Sequence, residues 1–169
     1  MLRCIETVLA LALLVSMPCR AADIAANASR DAARLVDCMK AFDAPCANSM
    51  TYTKILEEHG ISRSQLDQQV GAMYANLKTS HVTYSRFDLG APWPPFVTLG
   101  GHYIFIPYNA VLVGMGRKAA AKSFFIGVSE DDGISWKFVD GQRLTKDMIG
   151  QIIPGYVGKL PEQQLSQIE

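Results

Sequence analysis

The sequence has no surplus of charge of either sign. Its 16 Lys and Arg residues balance its 16 Asp and Glu residues, so the formal net charge is +0. Removal of the leader described below would take away Arg3, Arg20 and Glu6, two positive charges and one negative, and leave a net charge of −1. Nonspecific nucleic-acid binding is driven by clustered Lys and Arg, so nucleic acid is not expected as a partner.

Motifs for metal and nucleophile chemistry are also scarce. The three histidines, His59, His81 and His102, include no pair at the i, i+4 spacing that places two zinc ligands on one helix face. The chain has no G-x-S-x-G elbow and no phosphate-binding glycine loop. No cofactor or metal is therefore indicated, and a metal site assembled from residues distant in the sequence is the alternative to ordinary surface or capping histidines. The sequence also lacks internal repeats and a second long apolar run, which excludes solenoids and polytopic membrane proteins.

The beginning of the chain has the pattern of an export signal. Arg3 precedes an apolar stretch at 7–17 that is too short to cross a bilayer, and Ala21 offers a small residue for signal peptidase. We therefore predict a signal peptide at 1–21, a mature chain that begins near Ala22, and a periplasmic or secreted product without a membrane span. A retained anchor and a lipoprotein remain alternatives, although Pro18 before Cys19 disfavours lipidation.

Two of the four cysteines, Cys38 and Cys46, remain after the predicted cleavage. In an oxidising compartment they are predicted to form a disulfide that ties the end of the first helix to the approach of the second. A redox-active pair is the alternative, but it lacks the Cys-x-x-Cys spacing.

Helical periodicity dominates the first half of the chain. The apolar positions of 23–40 fall on one stripe of a helix, and a second helix is predicted over 51–59, ended by Gly60. Ser62 and Gln65 have the spacing of a capping box, which predicts that a third helix begins at Arg63. Its predicted inner stripe is Leu66, Val70, Met73 and Leu77. A last short helix is expected from Lys146, capped by Thr145, before a C-terminal tail at 161–169.

Beyond residue 80 the pattern becomes extended, with aromatic and β-branched residues between glycines and prolines. Four or five strands are predicted, at 81–89, 96–107, 108–115, 121–129 and 134–140. Gly114, Met115 and Gly116 are expected to form a hairpin turn. The order of elements predicts an α+β fold in which N-terminal helices pack on a curved antiparallel sheet, as a single domain over 22–160.

Residues 123–141, SFFIGVSEDDGISWKFVDG, and 51–57, TYTKILE, carry a resemblance to known proteins. With the order of elements, these segments resemble small uncharacterised bacterial proteins of the nuclear transport factor 2-like (cystatin-like cone) superfamily. The resemblance covers roughly 37–160. It implies that the third helix lies in the concave side of the sheet and that the protein pairs as a homodimer through the outer face of its sheet.

Residues 129–136 fit the pattern S-x-D-x-G-x-S/T-W, which resembles the Asp-box hairpin of sialidases and other β-propellers. Turn chemistry explains the motif: Asp131 can accept turn N–H groups, Gly133 can adopt positive φ, and Trp136 can cover the hairpin base. A propeller needs several copies, so a sialidase is not expected. Calcium bound by Glu130, Asp131 and Asp132 is the alternative.

Three functions remain open. The first is binding of an apolar ligand within the aromatic sheet; the residues expected to contact it are Tyr84, Trp93, Tyr103 and Tyr108. The second, implied by cone-fold enzymes such as ketosteroid isomerase, is proton transfer by a buried carboxylate or histidine; its candidates are Asp88, His81 and His102. The third is interaction with a partner protein, including a second copy of the chain.

Overall fold

The computed structural model describes residues 17–58, 60–142 and 144–168. Most of the predicted leader lies outside these residues, and the predicted cleavage site falls within the first helix. The helices are α1 (Met17–Lys40), α2 (Ala44–Ser49), α3 (Lys54–Glu58), α4 (Arg63–Thr79) and α5 (Lys146–Ile152). The strands are β1 (Thr83–Leu89), β2 (Phe96–Thr98), β3 (Gly101–Gly114), β4 (Arg117–Ser129), β5 (Lys137–Asp140) and β6 (Gln164–Ile168). Within the described residues, no helix combines the length and apolarity required to cross a membrane.

The fold is α+β, as predicted, with helices packed on a curved, open, antiparallel six-stranded sheet. Two long strands, β3 and β4, form its centre and are joined by a tight turn in which Met115 and Gly116 both have positive φ. Two short strands, β1 and β2, follow one another along the outer edge of β3. The strands β5 and β6 do the same along the outer edge of β4.

The predicted break between two strands at Pro107 is wrong, because β3 runs through this residue without interruption. Pro107 accepts a hydrogen bond from the backbone N–H of Gly90 at 2.7 Å. In an antiparallel strand the N–H and C=O of one residue point to the same side. The nitrogen of Pro107 therefore points, like its carbonyl, toward the loop after β1, and its lack of a hydrogen removes no hydrogen bond between β3 and β4. A proline is therefore tolerated in a long strand at this position.

The C-terminal segment, predicted as a tail, contains strand β6, which pairs with β4 from Lys118 to Lys122. The count of four or five strands was therefore too low. The alternation of polar and apolar residues in this segment is weak, because β6 lies at the edge of the sheet and Leu165 is exposed. An edge strand of this kind gives little periodicity to detect.

Helix α2 was not predicted. Asp43 caps it by accepting a hydrogen bond from the N–H of Cys46. Pro45 lies in the first turn, where a backbone N–H would have no partner within the helix, so the absence of this donor in proline costs nothing. The predicted helix at 51–59 is confined to Lys54–Glu58 in the described residues, and His59 lies outside them. The capping box of Ser62 and Gln65 at the start of α4 is present as predicted.

Helix α1 covers one face of the sheet through its buried apolar residues, Ala28, Ala32, Leu35 and Val36. The third predicted helix, α4, packs mainly against α2 and contributes one fully buried side chain, Tyr74. We expected this helix to lie on the concave side of the sheet, whereas in the structure α1 covers that face. A second core on the opposite face is closed by Ile149 and Ile152 of α5 and by Ile153, which follows the helix.

Cys38 and Cys46 form a disulfide, with their Cα atoms 5.6 Å apart. The bond links the end of α1 to the first turn of α2, as the sequence predicted. Both cysteines pack against the core beneath α1. The bridge therefore fixes the turn between the two helices that carry one wall of the site described next.

Candidate functional site

A cavity of about 500 Å³ lies at the edge of the sheet, beside β5. It is formed where the outer edge of β5 meets the helices. The segment between α2 and α3 runs along this edge, with the N–H of Tyr52 bonded to the carbonyl of Phe138 and the N–H of Phe138 bonded to the carbonyl of Met50. These bonds satisfy the strand edge and hold Thr51 and Tyr52 at the cavity wall.

The cavity walls are predominantly apolar. The helices contribute Leu35, Met39, Ala47, Ile55, Leu56, Val70, Met73, Met148 and Ile152, and the strands and the loop after β5 contribute Phe125, Phe138, Val139 and Leu144. The polar lining residues are Asn48, Thr51, Tyr52, Tyr74, Asp140 and Gln151. Asn48 and Thr51 use side-chain hydrogen bonds within the protein, to Asp67 and to the carbonyl of Ala47.

Asp140 is the one charged side chain among the described lining residues. The hydroxyl of Tyr108 donates to its Oδ1 at 2.9 Å, and the backbone N–H of Gln142 donates to the same oxygen at 2.9 Å. Its Oδ2 has no hydrogen-bond partner in the part of the chain that the structure describes. Asp140 is exposed to solvent and is among the residues that line the cavity.

Burial raises the pKa of Asp140 above its ordinary value, because the surrounding protein removes water from the carboxylate. The two hydrogen bonds to Oδ1 act in the opposite direction and are outweighed. Burial, with the negative charge of Asp140, also raises the pKa of Tyr108 and of Tyr74. These tyrosines therefore remain hydrogen-bond donors throughout the physiological range.

No ion pair among the described residues includes Asp140. Within the described residues its negative charge is stabilised by two hydrogen bonds, and the residue is also exposed to solvent. The protein around the carboxylate removes part of its water, and the desolvation of a charge is costly unless it is compensated. Perturbed carboxylates in apolar cavities are typical of functional sites.

The four predicted ligand-contacting residues do not line this cavity. Tyr84 and Tyr108 belong to the core under α1, where Tyr108 packs on Phe125 with ring centroids 4.7 Å apart. Trp93 and Tyr103 lie on the opposite face, packed on Phe105 and Phe96 respectively. Of the four, Tyr108 contributes to the site, through its bond to Asp140.

The three predicted acid–base candidates are not brought together. Asp88 pairs with Asn109 on β3, seven residues from His102, a separation of about 23 Å at the rise of a strand. Asp88 is partly exposed and forms an ion pair with Arg86. His81 lies exposed before β1, and His102 binds Asp132 at 3.2 Å. None of the three lines the cavity.

The Asp-box segment forms the turn that its chemistry predicts. Asp131 accepts hydrogen bonds from the N–H and hydroxyl of Ser135 and from the hydroxyl of Ser129. These bonds lower the pKa of Asp131 to about 2. Gly133 has φ of +84°. Trp136 is buried, and its indole N–H donates to the carbonyl of Gly133.

This turn also docks on α1, a contact that the sequence did not predict. The backbone N–H of Trp136 donates to Asp31 at 3.1 Å, and Asn27 donates to the carbonyl of Gly133. In the described residues, no group of three or more His, Cys, Asp or Glu side chains has the arrangement of a metal site. The carboxylate of Asp131 is occupied by the turn itself.

Sequence reasoning missed Asp140 as a site residue, although a signal was present. In a strand, alternate residues face the same side, and Trp136, Phe138 and Asp140 are two residues apart. Two large aromatic residues followed by a carboxylate at this spacing indicate a carboxylate on the same side of the strand as the aromatic residues that pack into the core. The contribution of α2 and α5 to the cavity had no comparable signal, because it depends on tertiary packing.

The fold and the site together define an α+β domain with an apolar cavity, whose described lining includes one carboxylate, that of Asp140. Comparisons of the chain with protein-family models, with curated proteins and with solved structures found no match.

Proposed function

We propose that this protein is an exported binding domain that holds a small apolar ligand in the cavity beside β5. The observation that carries the proposal is the cavity itself, about 500 Å³ in volume, with apolar walls and one charged side chain among the described residues that line it. Small-molecule sites in proteins have volumes of this order and combine apolar walls with few polar groups that orient the ligand.

The location of the protein is part of this proposal. The leader pattern at 1–21 supports export, and a disulfide between Cys38 and Cys46 is compatible with an oxidising compartment. The proposed relation to the nuclear transport factor 2-like superfamily is supported by the α+β architecture with a curved sheet. A ligand bound at the edge of the sheet, and not in the middle of its helix-covered face, would distinguish this chain within such a group.

The proposal is tested with N-phenyl-1-naphthylamine, an uncharged apolar probe whose fluorescence rises in apolar surroundings. Saturable enhancement with the purified mature protein is expected. Native mass spectrometry of protein incubated with a bacterial lipid extract then identifies what is retained. Absence of both probe enhancement and retained mass would contradict the proposal.

A matched pair of variants on α4 locates the binding. Val70 lines the cavity, so Val70→Phe should fill part of it and weaken probe binding several-fold. Gln69 is exposed on the same helix and does not line the cavity, so Gln69→Phe should bind as the unmodified protein does. Circular dichroism checks that both variants fold. Equal loss or no loss in the two variants would place the probe elsewhere.

Proton transfer at Asp140 is the second candidate function. It is favoured by a carboxylate with a raised pKa in an apolar cavity, held in place by the hydroxyl of Tyr108. The reaction class would be proton abstraction next to a carbonyl group. Hydrogen–deuterium exchange of small apolar ketones in D₂O, followed by NMR, should be accelerated by the protein and abolished by Asp140→Asn. No acceleration with any ketone that binds would reject this activity.

A further inference from the structure

We propose that the ligand of this cavity is an amphiphilic cation, in which an ammonium head group contacts Asp140 and an apolar body fills the remaining space. This inference rests on the proposed function and specifies its ligand class. The first support is the charge of the site: Asp140 is the one charged side chain among the described lining residues, and no ion pair of the described residues includes it. A cation bound in the cavity would have this carboxylate as its ionic partner.

The second support is the set of aromatic rings around this carboxylate. Phe125 is the direct cross-strand partner of Asp140, and Phe138 lies two residues earlier on the same face of β5. Tyr74 faces them from α4, near enough to Asp140 for its charge to raise the pKa of the tyrosine. All three rings line the cavity. Aromatic faces attract cations, and rings combined with an acidic group are a known arrangement for binding ammonium groups.

The third support is the geometry of the carboxylate. Oδ1 accepts from Tyr108 and Gln142, which fixes the orientation of the group, whereas Oδ2 has no hydrogen-bond partner among the described residues. An ammonium group can donate to this oxygen. An anionic head would be repelled, and a neutral hydroxyl could donate but would leave the charge uncompensated.

The test compares three ligands with one eight-carbon chain and different heads: octylammonium, 1-octanol and octanoate. Isothermal titration calorimetry at neutral pH is expected to give binding of octylammonium that is about tenfold tighter than that of 1-octanol, with octanoate weakest. This comparison uses the unmodified mature protein. Equal affinity for the three, or preference for octanol or octanoate, would overturn the cationic assignment while leaving an apolar binding domain in place.

Substitution then assigns the preference to Asp140. Asp140→Asn should weaken the binding of octylammonium by about tenfold and change the affinity for 1-octanol by less than about twofold. The control is Asp88→Asn, which removes a carboxylate that lies outside the cavity and should leave all three affinities unchanged. Octylammonium binding that survives Asp140→Asn would overturn the inference. If neither the three ligands nor N-phenyl-1-naphthylamine binds, the proposed function fails as well, so the two failures are distinguishable.

Discussion

The hydroxyl of Tyr108 and the carboxylate of Asp140 lie 2.9 Å apart, on two strands separated by β4. The ring of Tyr108 packs on Phe125, the cross-strand partner of Asp140, with centroids 4.7 Å apart. The bond therefore couples the core under α1 to the cavity at the sheet edge. It also fixes the carboxylate by one oxygen, Oδ1, while Oδ2 has no hydrogen-bond partner among the described residues.

The raised pKa of Asp140 predicts a specific dependence of stability on pH. The folded chain keeps the proton on Asp140 to higher pH than the unfolded chain does. The contribution of Asp140 to the free energy of unfolding is therefore complete below its ordinary pKa of about 4, and it is lost as the pH rises through its raised pKa. The free energy of unfolding of the unmodified protein, relative to Asp140→Asn, should therefore fall as the pH rises above about 4. Urea denaturation at several pH values measures this difference.

Tyr108→Phe is the matching control for this dependence. The hydroxyl of Tyr108 favours the charged form of Asp140, so its removal should raise the pKa of Asp140 further and extend the decline to higher pH. In a chain that already carries Asp140→Asn, the same change should have no effect on the pH profile. A flat difference between the unmodified protein and Asp140→Asn would show that the carboxylate is solvated.

Asp131 should give the opposite dependence. Hydrogen bonds from Ser135 and Ser129 lower its pKa to about 2. The contribution of Asp131 to the free energy of unfolding is therefore present above its ordinary pKa and is lost as the pH falls from about 4 to about 2. Asp131→Asn should therefore approach the stability of the unmodified protein at acidic pH. At neutral pH, Asp131→Ala should lower the free energy of unfolding by about 1 to 2 kcal/mol through the lost hydrogen bonds.

The control for Asp131 is its neighbour Asp132, which is exposed and binds His102 through a surface contact. Asp132→Asn should change stability by less than about 0.5 kcal/mol. Equal effects of the two substitutions would mean that the turn network of Asp131 does not stabilise the hairpin.

The parts of the fold that depend on local chemistry could be predicted from the sequence. The capping box at Ser62, the Thr145 cap, the turn at Met115 and Gly116 and the Asp-box turn all follow from residue types at fixed spacings, and all are present. The disulfide of Cys38 and Cys46 could be predicted because they are the two cysteines that follow the predicted leader.

The cavity could not be predicted in the same way, because its walls come from segments far apart in the chain. The pairing of Met50 and Tyr52 with the edge of β5 brings α2 and α3 to the sheet, and no local pattern encodes this contact. Tyr74 was missed because α4 was expected to bury an aliphatic stripe, whereas Met73 of that stripe is 51% exposed. In each case tertiary packing outweighs helical periodicity.

The disulfide should stabilise the protein mainly by restricting the unfolded chain. The bonded cysteines are eight residues apart, for which loop-entropy arithmetic gives about 2.5 kcal/mol. The double substitution of Cys38 and Cys46 to Ser should lower the free energy of unfolding by this amount in urea denaturation. Reduction of the unmodified protein with dithiothreitol should have a similar effect and should not affect the double variant. A reductant effect on the double variant would indicate a cause other than this bond.

Gly133 tests whether the Asp-box turn is fixed by its own conformation or by its contact with α1. Its φ is +84°, and a Cβ at this position would lie 2.8 Å from the side chain of Ile24. Gly116 has a similar φ of +73° with no atom within 4 Å of such a Cβ. Gly116→Ala should therefore cost about 1 kcal/mol from backbone conformation alone, and Gly133→Ala about 2 kcal/mol or more because a clash is added.

The clash component can be separated by changing its partner. In a chain that carries Ile24→Ala, the Cβ introduced by Gly133→Ala would meet no branched side chain, so the further cost of this substitution should approach that of Gly116→Ala. Thermal or urea denaturation of the single and double variants gives this coupling energy. If the cost of Gly133→Ala is unchanged by Ile24→Ala, then the backbone conformation alone sets it, and the contact between the turn and α1 does not contribute.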